Sequence, residues 1–235
     1  MKIQIWSDFS CPFCYIGKHH LMSALDAFSG RESVEIIFRS FELDPNAPVS
    51  GNTNIHAHLS EKYDMSLHDA REMTTRITQQ AKLAGLDFNF DYLIPANTFD
   101  AHRLLHFACD QGLSEPMAER LFKAYFTDSN NIADKGILIR LATEVGLDPE
   151  RVNGVLFSDQ YADKVRADEA FVRQLKITSV PFFIFDNKYA VSGAQPVSAF
   201  SDVLNKVQEE AERLNQIDSK LRYEGPSCAV DTGGI

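Results

Sequence analysis

Cys11 and Cys14, separated by Pro12 and Phe13, are the residues of this 235-residue chain whose type and spacing best suit chemistry. Proline favours the first position of a helix, where its missing N–H costs nothing. Cys11 is therefore expected at the mouth of a helix, with Cys14 one turn inside. A helix N-terminus carries partial positive charge and free N–H groups, and both stabilise a thiolate over a thiol. A free cysteine titrates near ~8.5, and helix N-termini and CxxC motifs lower that to roughly 3.5–7.5. The thiolate is the nucleophile in disulfide exchange. Cys11 is expected to attack a substrate disulfide or to hold the oxidising bond, and the more sheltered Cys14 to resolve the mixed disulfide. Cys11, Cys14 and His19 also have the spacing of part of a zinc site. A knuckle would need a fourth ligand about four residues further on, where Ala24 stands, and no second CxxC exists. No metal is expected. Two inert buried thiols are the other alternative, but a strand–Cys-Pro-x-Cys–helix context is hard to get by chance.

The elements around the pair are legible. Ile3 to Trp6 reads as a strand running into the turn that ends at Cys11. Leu21, Ala24, Leu25 and Phe28 make one apolar helical face after Pro12, and Ser29-Gly30 ends it. Val34 to Arg39 reads as a second strand, giving a βαβ unit with parallel strands. Phe41 to Pro45 leaves the sheet, and Asn46 to Asn54 is a polar loop. From about Ile55 to Leu175 the pattern is helical. Ser66 with Asp69 forms a capping box for a helix ending at Gly85. Phe88 to Ile94 reads as an irregular aromatic connection. Asn97 or Thr98 caps the next helix, to Gly112. Pro116 lies in the first turn of another, Asp134 opens one ending at Gly146, Asp148-Pro149 a short one, and Ser158 a longer one ending near Leu175. Val180 to Phe185 and Tyr189 to Ser192 read as a hairpin around Asp186-Asn187-Lys188. A last helix carries Phe200, Val203, Leu204 and Val207. The sequence turns polar from about Asn215, and Gly225 to Ile235 reads as a loose tail.

The order βαβ, helical insert, ββα describes one α/β scaffold made of two sequence-distant halves. Residues 1–44 with 176–213 form its sheet domain, 45–175 a helical insertion, and 214–235 a polar tail. Proline is excluded from central strands, yet Pro181 opens one. A cis Val180–Pro181 bond would turn the chain and free the backbone of Val180 for a peptide. Position alone favours trans, the commoner state of any X–Pro bond.

Composition excludes several classes. The formal net charge is −10, which argues against nucleic acid and anionic membrane surfaces as partners. The opening Met-Lys-Ile-Gln-Ile-Trp-Ser-Asp is too polar for a signal-peptide core, and no long apolar run follows. A cytoplasmic, membrane-free protein is expected. With only four cysteines in a reducing compartment, CxxC is more often catalytic or metal-binding than structural.

Five segments together resemble the DsbA-like thiol–disulfide oxidoreductases of the thioredoxin-fold superfamily, and within them the FrnE-type cytoplasmic branch. They are Ser10-Cys11-Pro12-Phe13-Cys14, Phe41-Glu42-Leu43-Asp44-Pro45, Asn97 to Leu104, Ala124-Tyr125-Phe126, and Ser179 to Phe183 with Gly193-Ala194-Gln195. The resemblance implies a thioredoxin fold, a central mixed sheet flanked by helices, with a large all-helical insertion. It implies Cys11 as nucleophile, Cys14 as resolving thiol and Pro181 in cis, with Pro12, Phe13, Val180, Asn97 and His102 as substrate-binding residues. The partners it implies are protein or peptide disulfides, with glutathione as a candidate reductant, no other cofactor than the Cys11–Cys14 pair, and a monomer or homodimer. DsbA itself is periplasmic and strongly oxidising, with a histidine between its cysteines. Pro12-Phe13 offers no titratable group, so a less oxidising reductase or isomerase is expected here. Kappa-class glutathione transferases and 2-hydroxychromene-2-carboxylate isomerases are similar in layout. They typically carry serine where Cys11 stands.

Other residues have two readings. His20 either faces the site or is an exposed helix histidine. Asp8 is a turn cap or a buried acid fit for proton transfer. Asn97 is a cleft residue or a helix cap. Phe13, Tyr15, Phe182 and Phe183 form an apolar rim or belong to the core. Cys109 is expected to be a buried inert thiol, and Cys228 to be exposed.

Overall fold

A computed structural model of the chain describes residues 1–49 and 53–221. Four strands form one sheet in the order β2-β1-β3-β4. The strands are β1 (Lys2–Ser7), β2 (Glu35–Ser40), β3 (Phe182–Phe185) and β4 (Tyr189–Ser192). β1 and β2 are parallel, with Ile5 opposite Phe38. β3 runs antiparallel to β1, with Phe183 opposite Ile5, and pairs with β4 as a hairpin. Asp186 and Asn187 take φ of 47° and 56°, the two left-handed residues a tight hairpin turn asks for. The sheet is thus assembled from both ends of the chain, which brings Val180–Pro181 beside the first βα turn. This is a thioredoxin fold with a helical insertion.

Nine helices are present among the described residues. α1 (Pro12–Asp26) crosses from β1 to β2, and α9 (Val197–Leu221) packs on α1. Between the halves lie α2 (Ile55–Lys62), α3 (Leu67–Leu83), α4 (Phe99–Asp110), α5 (Ser114–Phe126), α6 (Lys135–Glu144), α7 (Pro149–Leu156) and α8 (Ala162–Gln174). A single 3-10 turn at Phe90–Tyr92 interrupts the aromatic connection. Ser66 and Asp69 form the capping box reciprocally.

Three boundaries depart from expectation. α8 opens at Ala162, not Ser158, after Tyr161 in a left-handed conformation with φ of 66°. The Ser158 carbonyl is occupied by the Arg103 guanidinium, and its hydroxyl reaches back to the Val155 carbonyl at 3.3 Å. α8 also lies against β2, and its Phe171 ring stacks on Trp6 of β1 at 5.8 Å. α8 thus touches both the sheet and α4 of the insertion. α9 continues to Leu221, past Asn215 where the sequence turns polar. The loose tail from Gly225, with Cys228, lies outside the described residues.

One aromatic cluster fixes the insertion over the first βα turn. Tyr15 of α1 stacks on Phe122 of α5 at 5.1 Å, Phe9 meets Phe122 at 4.9 Å, and Phe126 stacks on Phe88 at 4.7 Å. Rings of this size bury more apolar area than any other side chains and prefer such offset contacts. Lys18 adds a polar tie. Its ammonium, on a side chain only 5% exposed, lies 2.6 Å from Glu119 of α5, whose other oxygen accepts from the Tyr15 hydroxyl at 2.5 Å. Among the described residues, no helix is long and apolar enough to cross a membrane.

Candidate active site

The Asp8-to-Cys14 turn is built by its own backbone. The Cys11 N–H donates to the Asp8 carbonyl at 3.0 Å, and the Cys14 N–H to the Cys11 carbonyl at 3.1 Å. Cys11 is the N-cap residue of α1, in extended conformation, and Pro12 takes the first helical position. Its thiol points across the turn at the Val180 carbonyl oxygen, 3.7 Å away. The Val180–Pro181 bond is cis. Pro181 is buried against α1, while Val180 is partly open. The approach is close because residue 17 is glycine. A Cβ there would lie 3.1 Å from Pro181 Cγ, 3.2 Å from Phe183 Cζ and 3.3 Å from Ala194 Cα.

The two cysteines are in the dithiol form and differ in environment. Cys14 is 1% exposed, and the Asp8 N–H donates to its sulfur at 3.5 Å. Burial, and then the hydrogen bond and charge of Cys11, hold the Cys14 thiol well above the usual thiol range. Cys11 is 5% exposed but forms part of the wall of an open cavity. A group that stays protonated behind a group that meets the groove is the arrangement expected of a resolving thiol and a nucleophile.

Asp8 is a turn cap, and it is buried. Its carboxylate caps the turn, accepting from the Ser10 N–H at 3.2 Å, the Ser10 hydroxyl at 3.0 Å and the Leu43 N–H at 2.7 Å. It is also 1% exposed. Burial acts to raise its pKa, but His102 beside it and the donors from Leu43 and Ser10 prevail and lower it. His102 Nε2 lies 3.7 Å from Asp8, too long for a hydrogen bond. Neither ring nitrogen of His102 has a hydrogen-bond partner. Glu42 closes the same buried layer. Burial raises its carboxyl against the pull of Arg166, which it meets at 2.5 Å.

Two depressions flank Phe13, which is 39% exposed. One is a cavity of about 290 Å³ between the turn and the insertion. Ser10, Cys11, Pro12 and Phe13 line it together with the apolar Ile55, Leu59, Ile77, Phe90 and Leu93. The other, on the sheet side, is shallow and lined by Ile16, His20, Val180, Pro181 and the exposed Leu83. His20 Nδ1 lies 2.8 Å from the Gln195 carbonyl, so it faces the site rather than solvent alone.

Cys11, Cys14, Pro12, Phe13, Val180 and Pro181 thus converge. Two residues expected to bind substrate do not join them. His102 is completely buried, its ring 4.9 Å from Phe9. Asn97 is a structural clamp: its oxygen accepts from the Phe99 N–H at 3.0 Å, and its amide donates to the Pro45 carbonyl at 3.2 Å. Asn97 thereby caps α4 from one residue before Thr98, whose side chain makes no cap bond. Of the expected apolar rim, Tyr15 and Phe183 are core residues at 2% and 0% exposure. The His19 and Tyr15 rings meet near-perpendicularly, with centroids 5.6 Å apart. Among the described residues, no three His, Cys, Asp or Glu side chains are grouped to hold a metal. Cys109 is half-buried rather than fully buried, and burial raises its thiol pKa. Ser40, His106 and Asp168 form a further buried group that is no nucleophilic relay, because the serine at 3.1 Å and the aspartate at 3.2 Å meet the same ring nitrogen.

Sequence reasoning missed the cavity walls from α2, α3 and the 3-10 turn. Their apolar residues sit at ordinary helical spacing and carry no signal that distinguishes a cavity wall from core. It also missed Leu43, which acts through its backbone N–H, and the closeness that Gly17 permits.

Residues 2–205 match the family model described as a DSBA-like thioredoxin domain. The chain is 30% identical over 213 residues to the uncharacterized protein YwbO of Bacillus subtilis (strain 168), covering 89% of this chain and 98% of that one. The probable DsbA oxidoreductase SCO1869 from Streptomyces coelicolor superposes with a TM-score of 0.84 at 40% identity, over 89% of this chain and 91% of its own. A 2-hydroxychromene-2-carboxylate isomerase superposes with a TM-score of 0.62 at 14% identity, over 94% and 99% of the two chains. At that identity the likeness is one of fold.

Proposed function

Because the chain belongs to the DSBA-like thioredoxin-domain family, we propose that it reduces or isomerises protein disulfides, with Cys11 as nucleophile and Cys14 as resolving thiol. The observation that carries this reading is the asymmetry of the pair. Cys11 meets the groove at the N-terminus of α1, opposite the Val180 carbonyl, while Cys14 is sealed behind it with its thiol held protonated.

The reaction balances without another cofactor. The Cys11 thiolate attacks one sulfur of the substrate disulfide, and the other sulfur leaves as a thiolate. Cys14 then attacks Cys11 in the mixed disulfide, its proton passing to a departing substrate sulfur. Two electrons and two protons move to the substrate, and the protein is left with a Cys11–Cys14 disulfide. Val180 presents backbone beside the reacting sulfur, where an extended peptide can pair by main-chain contacts that tolerate many sequences. Pro12 and Phe13 edge that contact. A cytoplasmic thiol such as glutathione would return the pair to the dithiol, and the pair is the only redox group the reaction needs. Pro12-Phe13 adds no cation to favour the thiolate, which fits a reductase or isomerase better than a strong oxidase.

The rival reading is a glutathione-dependent transferase or isomerase of small molecules on the same fold. That chemistry leaves Cys14 without a role. Trapping separates the two. In cells, Cys14→Ser keeps the nucleophile and should accumulate mixed disulfides with proteins through Cys11, whereas Cys11→Ser should accumulate few. If glutathione alone is trapped, and the wild type isomerises or conjugates small electrophiles without reducing insulin, the rival reading replaces this one.

A further inference from the structure

The shallow depression on the sheet side of Phe13 has one ionisable side chain in its lining, His20. Apart from His20 and Gln80 the lining is apolar or backbone, and it includes Val180 and Pro181. The Val180 carbonyl is the group that the Cys11 thiol faces at 3.7 Å. Side chains flanking a substrate cysteine that pairs at Val180 fall within reach of this depression.

The half-buried His20 ring is fixed relative to Val180 by a run of hydrogen bonds. The Gly193 N–H donates to the Pro181 carbonyl at 2.8 Å, the Gln195 N–H donates to the Gly193 carbonyl at 2.9 Å, and the Gln195 carbonyl lies 2.8 Å from His20 Nδ1. A carbonyl only accepts, so Nδ1 carries its proton whatever the charge of the ring. That sets the tautomer. Neutral His20 has a bare acceptor at Nε2, and protonated His20 has a second N–H there. Nothing acidic faces the ring among the described residues around it. One helical turn away on α1 stand Ile16, Gly17, Ser23 and Ala24. α3 presents Gln80 and Leu83, and the segment after β4 presents Gly193 and Ala194. The first turn of α9, Val197 to Phe200, holds no charged residue. His19, next in the chain, repels a charge on His20 and does not pair with it.

Resting on the proposed disulfide chemistry, we propose that His20 determines specificity: protonated, it favours substrates with an acidic side chain, Asp or Glu, close in sequence to the cysteine that Cys11 attacks. The formal charge of −10 repels such substrates at long range. An imidazolium against an apolar wall reverses that at contact, because unlike charges attract more strongly where little water lies between them. A basic side chain at the same place meets a like charge. When the ring is neutral, the Nε2 lone pair faces the carboxylate and the preference disappears. Histidine is the side chain whose charge changes between about pH 5 and 8, so the preference is present at the low end of that interval and lost as pH rises through it.

The test is single-turnover reduction of disulfide-linked peptide dimers by the pre-reduced full-length protein, at about pH 5.5 and about pH 8, on either side of the usual histidine range. The peptides carry Glu or Gln at one of the two positions before or after the cysteine. Each dimer accepts two electrons and two protons and becomes two thiols, while the protein becomes the Cys11–Cys14 disulfide. The Glu-to-Gln rate ratio cancels the pH dependence of the Cys11 thiolate, and glutamate is ionised at both pH values. At one position or more the ratio should be roughly threefold to fivefold at the lower pH, the upper end of what an exposed ion pair supplies, and about one or less at the higher. His20→Gln keeps a donor for the Gln195 carbonyl and should hold the ratio near one at both pH values. His20→Lys should keep the preference at both, and it serves alone if His20→Gln does not fold. A wild-type ratio that does not fall with rising pH at any position, or a pH-dependent ratio that persists in either folded variant, would overturn the role of His20 and leave the disulfide chemistry standing. If no peptide is reduced at all, both proposals fall together.

Discussion

Two glycine-to-alanine changes, each in a helix, should act with opposite sign. Gly154 lies in α7, and a Cβ added there meets nothing within 4 Å. Gly17 lies in α1, where the same Cβ meets Pro181, Phe183 and Ala194 at 3.1, 3.2 and 3.3 Å. Alanine is favoured over glycine in a helix by about 0.8–1 kcal/mol. Gly154→Ala should therefore stabilise by up to ~1 kcal/mol. Gly17→Ala has the same gain, but its Cβ is a few tenths of an ångström inside ordinary contact with three neighbours, all on the segments that carry Val180 and Ala194. Overpacking of this kind costs typically ~1–3 kcal/mol, so the net change is between about 0 and −2 kcal/mol. The two variants should differ by ~1–3 kcal/mol, at ~2–4 °C of Tm per kcal/mol for a chain of this length. The functional effect is larger than the stability effect. Relief of the clash moves Pro181 away from α1 and with it the Val180 carbonyl from Cys11. A loss of about tenfold in kcat/KM for insulin reduction, ~1.4 kcal/mol of transition-state stabilisation, is expected for Gly17→Ala, and none for Gly154→Ala. Thermal unfolding and insulin turnover of both proteins read the two effects. If Gly17→Ala is as stabilising as Gly154→Ala and equally active, the close approach of Pro181 to α1 does not position the site.

Two further outcomes follow from buried charge. Asp8→Asn removes a carboxylate that accepts three hydrogen bonds and should destabilise by ~2 kcal/mol at neutral pH, since a buried donor left without its acceptor costs about 1–3 kcal/mol. The folded pKa of Asp8 is lowered, so its contribution is fully present above the unfolded value near ~3.9 and is lost as pH falls through the lower folded value. Urea titrations from pH 7 to pH 3 should show the gap between wild type and Asp8→Asn closing as pH drops; a constant gap would contradict the assignment. At the Lys18–Glu119 pair, the two partners should be unequal. Glu119→Leu strands a lysine whose side chain is 5% exposed and should cost ~3–5 kcal/mol, whereas Lys18→Met leaves a glutamate that is 38% exposed and can be hydrated, and should cost less than half as much. Equal losses in a denaturant series would show that the lysine reaches water.

The chemistry and most of the framework were legible in the sequence because they are local. Cys-Pro-x-Cys after a short apolar strand is one continuous stretch, and Pro12 starts a helix by covalent geometry alone. The Ser66–Asp69 box and the Asp186-Asn187 turn likewise depend on residues within four positions of one another. Misreadings arose where a distant group competed. Ser158 is a good cap in isolation, but Arg103 takes its carbonyl, and α8 begins four residues later. His102 sits in a motif that resembles the family's, yet its helical face turns to Phe9 and Asp8 and never reaches the groove.

What only the tertiary structure decided is how the two halves meet. β3 pairs with β1 across more than 170 residues of chain, and that pairing, with the close approach Gly17 permits, puts the Val180 carbonyl 3.7 Å from Cys11. The difference between Cys11 and Cys14 is likewise a matter of burial, set by the rings and the insertion packed over the turn. The cavity is the furthest from the sequence. Ile55, Ile77 and Leu93 each read as core residues of their own segments, and they become a pocket wall because the segments stop short of filling the space above Cys11. Hydrophobic patterning specifies which face of an element turns inward. It carries no information about whether the facing surfaces meet.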